Sequence, residues 1–161
     1  MTISSALVID TEDLDTETIQ RIRNAVAEIL AEADDFDPDP SAVLGWTMAA
    51  AAELRLRLER INRPVQARTI AAAAHNGGFV ARTMVYDLGG YDQARSLNGF
   101  TKPVRRVMRA MVSDRLIPAE AAIPMEPVYD PSNPSFQRTQ GFRMPAELAA
   151  VFAQAFPAPR Q

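Results

Sequence analysis

Apolar residues return every three or four positions through several separate stretches of this chain, and glycine or proline closes most of them. That period is the helical one, and neither proline nor a glycine pair continues a helix. The chain must therefore fold as a set of short amphipathic helices, not as one long helix or an all-β sheet.

The first stretch, DLDTETIQRIRNAVAEILAEA, puts Ile19, Ile22, Val26, Ile29, Leu30 and Ala33 on one helical stripe. Asp15 or Thr16 is its expected cap, with Leu14 against Ile19 as a hydrophobic staple. The preceding SSALVID reads as a strand or an arm. DDFDPDP then ends the helix. Its Asp35-x-Asp37-x-Asp39 spacing is not a calcium loop, because Pro40 stands where an EF-hand needs glycine and Trp46 where it needs glutamate.

SAVLGWTMAAAAELRLRLERIN is expected to be a second helix, capped by Ser41, with Leu44, Met48, Ala51, Leu54, Leu58 and Ile61 inward. Glu53 and Arg57, and Arg55 and Glu59, form i,i+4 pairs on its outer side. Trp46 reads either as a packing anchor or as part of a dimer contact. RPVQARTIAAAAHNGG follows as a third helix that starts near Pro64 and stops at Gly77 and Gly78, with His75 in its last turn. FVARTMVYDLGG reads as a short strand and a two-turn helix. YDQARSLNG is a polar connection.

Composition narrows the chemistry. The chain has no cysteine, so cysteine nucleophiles are excluded, and with one histidine as well, so are zinc fingers; His75, with no acid or serine beside it in its motif, is not expected to serve as the general base of a Ser-His-Asp triad. No enzymatic activity, metal or cofactor is expected. Without a signal-peptide pattern or an apolar run of bilayer length, the expected location is cytoplasmic, with no membrane partner. Charge is divided along the chain: residues 1–62 hold 13 acids against 5 bases, and residues 63–161 hold 7 acids against 12 bases. One end is suited to an anionic partner.

The segment GFTKPVRRVMRAMVSDRLIP, Gly99 to Pro118, concentrates that character. Pro103 suits a first helical turn and Thr101 a cap. Val104, Val107, Met108, Met111 and Val112 then fall on one side of the helix, and Lys102, Arg105, Arg106, Arg109 and Ser113 on the other. No glutamate stands four residues from these cations to pair with them, and they crowd the helix N-terminus, where the dipole disfavours positive charge. An external anion is expected to compensate.

Beyond Pro118, Ile123 to Tyr129 and Phe142 to Met144 are expected to be two strands around a Pro/Ser/Asn-rich loop that carries Arg138. PAELAAVFAQAF gives a closing helix that buries Leu148, Val151, Phe152 and Phe156. From about residue 63 to 144, the order of helix, GGFVAR, short helix, GFTKPVRRVMRAMVSDRLIP and hairpin resembles a winged helix-turn-helix domain. The resemblance implies a mainly α fold with a small β-hairpin wing, preceded by two amphipathic helices. It implies that Thr101, Lys102, Arg105, Arg106 and Arg109 face the major groove of double-stranded DNA, with Arg138 and Arg143 on phosphates beside the wing.

The chain is thus expected to divide into an acidic helical region, residues 1–62, serving as a dimerisation or partner module, and a winged-helix-like domain, residues 63–161. The expected function is DNA binding in transcription regulation, by a homodimer or with a protein partner held by the N-terminal helices. The alternative is an adaptor that meets a protein through Tyr86, Tyr91 and Phe100.

Overall fold

The computed structural model describes residues 15–34, 39–130, 132 and 139–159, with side chains in the first helix described as far as Ala25. SSALVID, Leu14, Asp35, Asp37 and Arg138 lie outside the described residues. The chain falls into two units, residues 1–37 and 38–161.

In the first unit, α1 runs Thr16–Asp34. Asp15 starts it: its carboxylate accepts from the Thr18 backbone N–H at 2.8 Å and from the Thr18 hydroxyl at 2.8 Å. Those bonds, the backbone one foremost, hold the Asp15 carboxyl below the usual carboxylate range. Of the two cap residues the sequence left open, Asp15 makes the bond.

The second unit is built from α2 (Met48–Arg60), α3 (Pro64–His75), β1 (Phe79–Ala81), α4 (Arg82–Gly89), α5 (Lys102–Ser113), β2 (Glu126–Tyr129), β3 (Thr139–Arg143) and α6 (Ala146–Ala155). It is mainly helical with a small antiparallel sheet. α3 is its centre. Ala67, Ile70 and Ala71 to Ala74 are all buried, and the small alanine side chains let α2, α4, α6 and β1 pack closely around one helix. Leu54 and Leu58 of α2 share the core with Val104, Val107 and Met111 of α5 and Leu148 and Phe152 of α6. A boundary between residues 62 and 63 is therefore displaced to 37 and 38, because α2 packs on α3, α5 and α6.

α2 also starts later than the periodicity suggested. Leu44 and Gly45 take left-handed backbone angles, φ 50° and 83°, and Val43 pairs with Trp46 across them in a small bridge. A Cβ on Gly45 would stand 2.9 Å from Ala121 and Pro118, so the residue is glycine for room as well as for φ. The helix then opens on Thr47, whose hydroxyl accepts from the Ala50 N–H at 3.1 Å; Ser41 bonds Asp39 instead. Leu44 in this turn and Met48 at the first helical position, both expected inward, are exposed, as is Ile61 at the C-cap beyond the last turn. Trp46 is fully buried, donates from its ring nitrogen to the Ala122 carbonyl at 2.8 Å and meets the edge of Phe152 at 5.1 Å. It is a packing anchor.

The sheet has the order β1-β3-β2. Val80 pairs with Phe142 and Pro127 with Phe142 on the other side, and the hairpin carries an irregularity at Val128 and Tyr129. The strands begin later at β2 and earlier at β3 than expected. Gly141 is forced by close approach: an added Cβ would lie 2.3 Å from the Val80 carbonyl oxygen and 2.7 Å from the Phe79 ring. No described helix is long and apolar enough to cross a membrane.

Candidate nucleic-acid interface

α5 is set in place by its apolar side. Val104, Val107, Met108 and Met111 are buried, while Lys102, Arg105, Arg106, Arg109 and Ala110 are exposed. The helix runs about 18 Å, with its cations gathered toward the N-terminal end. Thr101 does not cap it by a side-chain bond; it sits in helical conformation, and the turn that enters the helix is closed by Lys102 N–H to the Gly99 carbonyl at 3.0 Å. Gly99 allows this with φ 71°.

Two further structures fix the angle of α5. The connection from α4, residues 90–101, folds inward at Leu97 and Phe100, which are buried, and the Gln66 amide reaches the Phe100 carbonyl at 3.4 Å. Phe100 also lies 5.1 Å from Phe142 of the hairpin. Arg82 joins three elements, donating to the Arg95 carbonyl in the connection and to the Thr139 carbonyl in β3 while it lies over the Tyr86 ring. Tyr86 adds a bond from its hydroxyl to the Arg95 carbonyl at 2.8 Å. A polar connection thus becomes an anchored one.

That anchoring corrects the aromatic expectation. Tyr86 and Phe100 are buried and Tyr91 is half-buried against the core, with Arg95 over its ring. None of the three is an exposed contact for a protein partner.

Charge is arranged differently at the two ends of α5. Asp114, just past the C-terminus, opposes the helix dipole, and Arg57 of α2 compensates it with an ion pair at 2.7 Å. Arg57 holds Glu53 as well at 2.7 Å, and these two carboxylates, Glu53 first, keep its guanidinium more firmly protonated than usual. Lys102, Arg105, Arg106 and Arg109 oppose the dipole at the other end. Among the described residues, none of them forms an ion pair.

These four cations line one wall of an open groove of about 600 Å³ whose other wall is the segment Pro118 to Ile123. Sequence reading missed that wall, which is signalled only by the proline and alanine run that folds back along the helix. Glu120 stands on it without pairing with the four cations. Thr101 lines a neighbouring cleft of about 290 Å³ with Ser96, Asn98, Pro127, Tyr129 and Thr139, between the connection and the hairpin base.

Arg143 lies elsewhere. It is exposed at the end of β3 remote from the hairpin loop, some 13 Å along the strand from Thr139, and its register partners are Phe79 and Glu126. A facing carboxylate-bearing residue and that distance argue against a contact beside the wing. The structure therefore brings together Lys102, Arg105, Arg106 and Arg109, with Thr101 adjoining, and does not bring Arg143 to them.

His75 sits in the last turn of α3, where its Nε2 lies 2.9 Å from the Phe156 carbonyl, and links that helix to the end of α6. No protein-family model matches the chain, and no curated protein or solved structure does.

Proposed function

We propose that this protein binds double-stranded DNA as a regulator of transcription, with the exposed face of α5 in the major groove. The observation that carries the reading is a helix with four exposed cations near its N-terminus and no acid pairing them among the described residues. A helix face of this kind fits the major groove, which is about 12 Å wide.

The order of elements supports it. Helix, strand, two helices and hairpin, with the first strand added beside the last in the order β1-β3-β2, resembles the winged helix-turn-helix arrangement, with α5 as recognition helix and the hairpin as wing. Residues 90–101 make the connection between the paired helices longer than the usual three or four residues. Its buried Leu97 and Phe100, and the bonds to Arg95, give it the rigidity that a short turn has by length.

In this reading Arg105 or Arg106 reads guanine O6 and N7 by paired hydrogen bonds, and Lys102 and Arg109 hold phosphates. The test is fluorescence anisotropy of a random duplex across a salt series. On a random duplex no base is read and all four cations meet phosphates, so affinity of roughly 10⁻⁴ to 10⁻⁶ M near physiological salt is expected, with a log–log salt slope of about −3.6. Arg105→Ala with Arg106→Ala should flatten that slope by about 1.8. Absence of binding at low salt would overturn the proposal.

A further inference from the structure

The first unit carries a pattern that DNA binding does not use. Along α1 the sequence places Ile19, Ile22, Val26, Ile29 and Ala33 at alternating spacings of three and four. This is the a and d repeat of a coiled coil, with Leu30 adding to it at an e position. Ile19 and Ile22 are half-buried, while Glu17, Arg21, Arg23, Asn24 and Ala25 around them are exposed. Most of a helix's stability in a protein comes from packing its apolar face, and an a and d repeat fits a partner helix of like pattern.

We infer that the partner is α1 of a second copy of this chain, and that the two helices run antiparallel. Charge decides the direction. Residues 16–24 hold Glu17, Arg21 and Arg23, a balance of +1, and residues 25–34 hold Glu28, Glu32 and Asp34, a balance of −3. A parallel pair stacks the two acidic halves on each other and aligns the helix dipoles. An antiparallel pair lays each acidic half over the other copy's basic half and opposes the dipoles.

The register follows from matching a positions to d positions across the pair. Ile19 meets Ile29 of the second copy and Ile22 meets Val26, which fills four layers with β-branched residues and leaves Ala33 at the margin. Isoleucine at both a and d favours trimers in parallel coils. Here three acidic blocks would then converge at one end of the bundle, which the charge pattern opposes.

The chain contains no cysteine, so introduced thiols report the geometry without background. The full chain is weighed by light scattering at about 100 µM and as Ile22→Glu, and the variants Ile19→Cys and Ile29→Cys are oxidised separately and as a mixture. The proposal expects twice the 17.7 kDa chain mass for the natural protein and a single chain mass for Ile22→Glu, whose unit 38–161 keeps its thermal midpoint. It expects a cross-link between Ile19→Cys and Ile29→Cys chains and none between two Ile19→Cys chains. Those two sites would lie about 15 Å apart, beyond the roughly 7 Å Cα limit for a disulfide. A monomeric natural chain, a dimer that survives Ile22→Glu, a trimer, or self-linking of Ile19→Cys would each overturn it. DNA affinity of the isolated α5 face is measured separately and decides nothing here.

Discussion

Two helices of this protein carry clusters of arginine, and they treat it in opposite ways. In α2, Arg55 is hydrogen-bonded to the Ala155 carbonyl and paired with Glu59, and Arg57 holds both Glu53 and Asp114. In α5, Lys102, Arg105, Arg106 and Arg109 have no such partners among the described residues. The same side chain is mortar in one helix and a free surface in the other. Arginine content alone therefore says little about function; what separates the two helices is where the acids stand.

The whole chain repeats the contrast. Residues 1–37 hold 10 acids against 2 bases, and residues 38–161 hold 15 bases against 10 acids. Moving the boundary from 62 to 37 transfers three acids and three bases, so the split of −8 and +5 is unchanged. Arg55 and Arg57 of α2 are both paired with acids, which suits a helix whose task is packing.

The largest expected effect is on that packing. Leu54→Ala opens a cavity at a fully buried position of α2 and is expected to cost about 2–5 kcal/mol; urea unfolding measures it. A chain beginning at residue 63 should fail to fold for the same reason, whereas one beginning at residue 38 should fold. A folded chain from 63 would break the claim that α2 belongs to the core.

Arg57→Ala removes two partly exposed ion pairs together and leaves Asp114 opposing the dipole of α5. A loss of about 1 kcal/mol is expected, a fall in thermal midpoint of roughly 2–4 °C, with DNA affinity unaltered. A large loss of affinity would mean that α2 and α5 are not separable in role.

A finer test supplies α5 with the acid it lacks. Ala110→Glu places a carboxylate four residues beyond Arg106 on the exposed face but also four residues before Asp114, so the new pair and the new repulsion should leave helix stability nearly unchanged while DNA affinity falls. Lys102→Glu sharpens the same point: an acid in the first turn should gain about 0.3–1 kcal/mol from the dipole and weaken binding. Affinity falling while stability holds or rises is the signature expected of a face kept unpaired for a ligand. Calorimetry beside anisotropy reads both.

Much of this arrangement was legible in the sequence. The apolar and basic sides of α5 follow from helical spacing, and Pro64, Gly77, Gly78 and Pro103 stand near the helix ends they were read to mark. The start of α2 was missed because an unbroken apolar period runs through Leu44, although Gly45 in its midst and Thr47 as a capping residue carried the signal. Tyr86 and Phe100 looked exposed because the stretch between them is polar. Its backbone carbonyl at Arg95, a group every residue has, is what draws Tyr86 inward. Arg143 stands at the end of β3 remote from the loop because strand register, not proximity in sequence, decides which end of a hairpin a residue occupies.

The most direct test of the account is Arg106→Glu, with duplex affinity and thermal midpoint measured on the same preparation. With α5 as the DNA-binding face, binding at low salt is lost while the midpoint stays within about 2 °C of the natural chain, as for a substitution at an exposed position without a partner. Retained affinity, or affinity lost only together with the fold, would contradict it.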